Sequence, residues 1–278
     1  MSMRLEALDT ARLDVAADTL KRGFADYFIP IPFAPAMLLN MIPHDGIAPA
    51  LSRLVLRNDE PIGCALIARR GWTSRLAGMA LVPEARRQGV GRWLMGKLIE
   101  QARNRADRRM VLEVIEQNEP ALRLYESCGF TRVRRLVSLE LEPAPTYAAG
   151  ETAGLEEIDI REVARMVSQY GLHDLPWQLS SESLSLSSPP LIAYRLGPAA
   201  AVIGSPSAER VTILSLIVEP GDRRQGHAMR LLQALLAEYP EKTWRVPALC
   251  PEEAAGPFAA LGFEPGEISQ WQMTLDLV

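Results

Sequence analysis

The feature that most constrains this chain is that it repeats itself. Arg86-Arg-Gln-Gly89 returns as Arg223-Arg-Gln-Gly226. Leu124-Tyr-Glu-Ser-Cys-Gly-Phe130 is matched by Pro257-Phe-Ala-Ala-Leu-Gly-Phe263, and Val137-Ser-Leu-Glu-Leu141 by Met273-Thr-Leu-Asp-Leu277. Three matches in the same order, at nearly one spacing, make the 278 residues two copies of one plan. Each copy is long enough to bury a core of its own. From Glu142 to Gly154 the chain is rich in Pro, Gly and Ala and has neither helical nor strand period, so it reads as a linker. The expected organisation is a first domain at 1–143, a linker at 144–154 and a second domain at 155–278.

Hydrophobic spacing predicts the elements of the first copy. Arg4 to Leu8 reads as a short strand. Leu13, Ala16, Ala17, Leu20 and Phe24 fall on one helix face. Tyr27 to Pro49 mixes aromatics, Pro and Met around a short helix at Pro35–Met41. Two apolar runs, Leu51 to Arg57 and Ile62 to Ala68, flank Asn58-Asp-Glu-Pro61 as a hairpin. A strand at 76–82, a helix at 91–105, a strand at 109–115, a helix at 119–127 and a strand at 131–141 follow. Strands that meander and then alternate with helices predict a mixed α/β fold.

Composition excludes several classes. No apolar run approaches the ~18 residues of a membrane helix. The first residues carry acids early and no unbroken apolar stretch, unlike a signal peptide. Cys64, Cys128 and Cys250 are scattered and odd in number, which points away from a disulfide framework or a thiolate metal site and toward a reducing cytoplasm. The net charge of −4 argues against a general nucleic-acid binder. That total divides unevenly. Residues 1–143 hold 21 Lys and Arg against 17 Asp and Glu, and residues 144–278 hold 9 against 17.

The segment Arg86-Arg-Gln-Gly-Val-Gly91 lies between an apolar strand and a helix carrying Trp93, Leu94, Leu98 and Ile99. A glycine-rich turn entering a helix leaves backbone N–H groups without partners at the positive end of the helix dipole, where a phosphate fits. Gly89 and Gly91 allow close approach of the backbone. The spacing is neither that of a Walker loop nor that of a dinucleotide-binding fingerprint.

Arg86-x-x-Gly89-x-Gly91, followed by Asn118-x-x-Ala121-x-x-Leu124-Tyr125-x-x-x-Gly129-Phe130, closely resembles the GNAT superfamily of N-acetyltransferases. The resemblance covers residues 3–141 and, more weakly, 155–278. It implies two tandem domains, each a mostly antiparallel sheet flanked by helices with a cleft where two strands splay. It also implies acetyl-CoA as co-substrate. Ala80, Leu81 and Val82 would pair with the pantetheine arm. The turn of Arg86, Arg87, Gln88, Gly89, Val90, Gly91 and Arg92 would hold the pyrophosphate, and Asn118 would contact the arm. Tyr125 would stand near the sulfur and give the departing thiolate a proton. The expected function is acetyl transfer to a primary amine of a small molecule or peptide, by a monomer or homodimer without metal, nucleic acid or membrane. The alternative is a non-catalytic acyl-CoA-binding or regulatory protein.

An amine near pKa ~10 is mostly protonated at neutral pH, so a base or relay water helps the reaction. Glu113, on the strand after the loop helix, and Glu116, at that strand's end, are the candidates. His44 and Asp45 lie in the acceptor-side segment. The aromatic run Tyr27 to Phe33 is a core cover or an acceptor wall. The second copy has Phe258 where the first has Tyr125, and Pro251 where the first has Asn118. It therefore reads as a degenerate copy.

Overall fold

A computed structural model of the chain describes residues 3–9, 12–143 and 154–278. The expected linker, apart from Gly154, lies outside them. In chain order the first elements are β1 (Met3–Ala7), α1 (Leu13–Gly23), α2 (Pro35–Asp45), β2 (Arg53–Arg57), β3 (Glu60–Arg70), β4 (Thr73–Leu81), α3 (Val90–Asn104), β5 (Arg109–Ile115), α4 (Glu119–Ser127) and β6 (Thr131–Leu141). There follow β7 (Glu156–Ile158), α5 (Ile160–Tyr170), α6 (Ser181–Ser185), β8 (Leu191–Leu196), β9 (Ala199–Gly204), β10 (Arg210–Val218), α7 (His227–Glu238), β11 (Thr243–Pro251), α8 (Gly256–Ala259) and β12 (Glu264–Asp276). This is the mixed α/β plan expected from the sequence. The helix expected at 35–41 runs one turn further, to Asp45, before Gly46 at φ 66° ends it.

The elements form two compact units. The first holds Met1–Val114, Asn118–Val133 and Gln272–Val278, and the second holds Ile115–Gln117 and Arg134–Trp271. Most of β6 is therefore built into the second unit, and the end of β12, from Gln272 on, into the first.

In the first unit β1, β2, β3 and β4 pair antiparallel in sequence order, and β4 pairs parallel with β5. The β2–β3 turn carries Asn58 and Asp59 at φ 51° and 66°, the pattern of a type I′ turn. Ala16, Ala17 and Leu20 bury one face of α1. That helix lies close to the sheet: a Cβ on Gly23 would sit 2.6 Å from Ala80 Cβ. Leu94, Met95, Leu98 and Ala102 bury the face of α3, at the i, i+1, i+4, i+8 spacing of an apolar stripe.

The second unit repeats the plan. β7, β8, β9 and β10 pair antiparallel, β10 pairs parallel with β11, and β11 pairs antiparallel with β6. Its core packs Leu231, Leu232 and Leu235 of α7 with Trp244, Phe258 and Phe263, and with Leu139 and Leu141 of β6.

Candidate acetyl-CoA site

The site begins where two strands part. β4 and β5 pair from Thr73↔Arg109 to Leu76↔Leu112 and no further, although β4 continues to Leu81 and β5 to Ile115. The parting coincides with an irregularity on β4's other edge. Leu66 pairs with Gly78 and Ile67 with Leu76, so Ala77 is bulged out of the ladder. An antiparallel neighbour on one side and a departing parallel one on the other leave the end of β4 with an open edge.

Beyond that edge the chain turns into α3. Trp93 N–H, donated to Gly89 O at 3.0 Å, is the first amide of the helix with a backbone acceptor. Among the described residues the amides of 87–92 have none. Arg87 at φ 59° and Gly89 at φ 79° curl the turn so that this row of donors lies at the helix's positive end. Arg87 and Arg92 are exposed and, among the described residues, have no ion-pair partner. This turn is chemically suited to a phosphate group.

The two glycines serve the turn in different ways. A Cβ on Gly89 meets nothing within 4 Å, so its requirement there is the left-handed backbone. A Cβ on Gly91 would come 3.2 Å from Leu124 Cδ2, so its requirement is the close packing of α3 against α4.

The second unit builds the same turn with the same residues. Arg86 Nε donates to Leu81 O at 3.1 Å and Nη2 to Gly23 O at 2.9 Å, tying the end of β4 to the end of α1. Arg223 Nε donates to Val218 O at 3.1 Å and Nη2 to Tyr170 O at 2.6 Å. Gln88 Nε2 donates to Glu84 O at 2.6 Å, and Gln225 Nε2 to Gly221 O at 2.9 Å. Arg224 and Gly226 repeat the positive φ values at 61° and 84°. The repeated Arg-Arg-Gln-Gly thus holds the turn's shape. The Arg86 guanidinium, expected at the pyrophosphate, is occupied by two carbonyls and by Asp26.

The other expected residues divide. Ala80 and Val82 are buried, and Val82 N–H donates to Ile62 O. Val90 points into the core. Asn118 caps α4, its Oδ1 accepting from Ala121 N at 3.3 Å. The Tyr27 phenol lies close enough to this side chain for the two to interact. Tyr125 is buried, its ring 6.0 Å from that of Phe130. Burial, reinforced by nearby Tyr27, holds its phenol above the ordinary tyrosine range. Among the described residues its OH has no hydrogen-bond partner in the protein. Asn118, Tyr125 and Tyr27 therefore form one cluster in the first unit. Tyr27 came into the sequence reading only as one aromatic in an apolar run. Its ring lies 4.8 Å from that of Phe24 at the end of α1, at right angles. A polar tip on an aromatic just before two prolines is a weak signal, which its place beside Asn118 makes specific.

Neither candidate base is free. Glu113 is buried and accepts from Arg75 Nε at 2.8 Å and Nη2 at 2.7 Å. Glu116 belongs to the second unit. There its carboxylate accepts from Ser269 Oγ and, at 2.8 Å, from Arg135 Nε. Ser269's hydrogen bond and Arg135's charge hold its pKa below the usual range, against the opposing effect of burial. A lowered pKa weakens a base. His44 and Asp45 bond each other at the end of α2. Among the described residues no cluster of His, Cys, Asp and Glu is arranged to hold a metal, and no helix is long and apolar enough to cross a membrane.

Comparison with known proteins agrees with this geometry. Residues 21–130 match the acetyltransferase (GNAT) family. Over 93 residues the chain is 38% identical to N-alpha-acetyltransferase 30 of Schizosaccharomyces pombe. That alignment takes in 32% of this chain and 62% of the relative, so the chain spans less than two thirds of that protein. Among solved structures, a GCN5-related N-acetyltransferase from Sphaerobacter thermophilus superposes with a TM-score of 0.71 at 16% identity, over 99% of this chain and 96% of that one. A tandem GNAT protein from the clavulanic acid biosynthesis pathway superposes with a TM-score of 0.63 at 18% identity, over 100% and 99%. At these identities the likeness is one of fold, and it extends through both units. Residues 21–130 thus match the acetyltransferase (GNAT) family, and the fold of GNAT proteins extends through both units.

Proposed function

We propose that the first unit is an acetyl-CoA-dependent N-acetyltransferase acting on a primary amine, with peptide N-termini the first acceptors to try. The observation that carries this is the row of partnerless amides at 87–92, set beside the open edge of β4. A pyrophosphate at the turn and an amide-bearing arm along the strand edge fit those donors and acceptors. Bound acetyl-CoA would supply the activated acetyl thioester. Arg87 and Arg92 would add positive charge at the turn, and the Asn118 amide, fixed by Ala121, would present a preset contact.

Tyr125 would hold its proton through the neutral range and donate it to the sulfur as the carbon–sulfur bond breaks and the nitrogen–carbon bond forms. The proton lost by the amine would pass to water, since Glu113 and Glu116 are both engaged. The N-alpha-acetyltransferase relative supports an amine acceptor, and the family supports the transfer.

The test is thiol release from acetyl-CoA against peptides with free or blocked N-termini and against small amines. Release that requires a free amine, and that disappears in Arg87→Glu together with acetyl-CoA binding, is the expected result. Tight acetyl-CoA binding without turnover on any amine would turn the reading to the non-catalytic alternative.

A further inference from the structure

A cavity of about 590 Å³ opens in the second unit, at the place corresponding to the site above. It lies where β10 and β11 part after Thr212↔Arg245. Its volume falls in the range of small-molecule sites. Its lining differs from that of the first unit in one consistent direction. Ala77 and Met79 correspond to Leu214 and Leu216, Arg92 to Met229, Asn118 to Pro251 and Tyr125 to Phe258. The side-chain amide, the phenol and one of the two cations are gone, and apolar groups replace them.

Two polar elements persist, the turn's row of amides at 224–229 and one arginine. Arg224 stands at the mouth, exposed and, among the described residues, without an ion-pair partner. The acids at the rim are partly answered: Glu253 pairs with Arg134 at 3.4 Å, and Asp222 lies 4.0 Å from His227.

An apolar cavity with one free cation at its mouth matches an amphipathic anion. We infer that the second unit binds an unbranched acyl chain of medium length bearing an anionic group. The chain lies against Leu214, Leu216, Val246 and Phe258, and the anionic end lies at Arg224. The ligand does not react there, because Phe258 has no proton to give and Pro251 no side-chain amide. The site is therefore one of retention or regulation, and it stands whether or not the first unit transfers acetyl groups. The same chemistry is presented by a free fatty carboxylate and by an acyl chain on a phosphate-bearing thioester carrier.

The experiment uses the full chain in a Gly89→Glu background, which blocks the first unit's turn. Calorimetry compares hexanoate, octanoate and decanoate with their CoA thioesters and with acetyl-CoA. Affinity should rise about threefold to fourfold per added methylene, the ratio that follows from ~0.8 kcal/mol per buried CH₂. Binding of the free acids identifies the carboxylate as the source, and binding of the thioesters alone identifies the carrier. Leu216→Trp, which fills the cavity, should abolish the chain-length dependence. Arg224→Glu, an exposed change that leaves the core intact, should weaken every binder about tenfold. The inference is overturned by no binding in either series, by affinities that do not depend on chain length, or by tightening that survives Leu216→Trp.

Discussion

At the scale of single residues, Tyr125 and Glu113 separate chemistry from structure. Tyr125 is buried, yet its OH has no protein partner, so Tyr125→Phe leaves no orphaned group behind. Its expected effect is a fall in kcat of about 10² to 10⁴, the span of general acid catalysis, with acetyl-CoA affinity and melting temperature nearly unchanged. A melting temperature that falls with kcat would make Tyr125 a packing residue. Glu113 predicts the opposite pattern. Removing its charge strands the buried Arg75, a loss of about 3 kcal/mol by analogy with other buried pairs. Glu113→Gln should therefore lower the urea midpoint while leaving the shape of the pH–rate profile alone. The sequence showed that Tyr125 and Asn118 lie together, because their spacing along α4 fixes both on one short helix. It did not carry the engagement of Glu113 or Glu116. Strand alternation says which face a carboxylate takes, and nothing about an arginine dozens of residues away that takes its charge.

At the scale of elements, the turn into α3 is the unit that both halves keep. Its two glycines make a paired prediction. Gly89→Ala forces a Cβ into left-handed backbone and should cost about 1–2 kcal/mol and weaken acetyl-CoA binding. Gly91→Ala gains helix propensity and meets only the movable tip of Leu124 at 3.2 Å, so the two effects should offset to within about 1 kcal/mol. Ala228 already occupies that place in the second unit. Comparable melting temperatures for the two variants would refute this division of roles.

A second prediction concerns how β3, β4 and α3 are joined. Asp107 is fully buried and accepts from Ser74, from Arg69 Nε at 2.6 Å and from Arg105 Nη2 at 3.0 Å. Burial raises its pKa, but those partners outweigh it and the net shift is downward. A depressed folded pKa contributes stability that is present above the ordinary aspartate range near ~3.9 and is lost as pH falls below it. Asp107→Asn should thus lose about 3 kcal/mol at pH 7. The gap to the parent, measured by urea melts from pH 7 to pH 3, should narrow at the acid end. The strand and helix boundaries were legible because apolar period and turn residues agree locally. The parting of β4 from β5 was not, because it depends on a bulge at Ala77 that no local pattern marks.

At the scale of the whole molecule, the repeat was legible and the division of the closing strands between the units was not. Val137-Ser-Leu-Glu-Leu141 and Met273-Thr-Leu-Asp-Leu277 match so well that either could close either copy, and matching sequence alone does not decide which sheet each joins. In the structure Leu139 and Leu141 pack in the second unit's core. Met273 and Leu277 are buried in the stretch that belongs to the first, where Leu277 N–H donates to Arg108 O at 2.9 Å. The consequence is reciprocal. Met273→Ala, near the C-terminus, should cost about 2–5 kcal/mol and speed amide hydrogen exchange in β5 and α4 of the first unit. Leu139→Ala, in the N-terminal half, should do the same to β10 and β11 of the second. Each unit contains chain from both sides of residues 144–153, so cleavage at a protease site engineered there should leave the two fragments associated under native conditions. Fragments that separate on a sizing column, or variants that loosen the unit of their own sequence half, would show that each copy closes on its own strand.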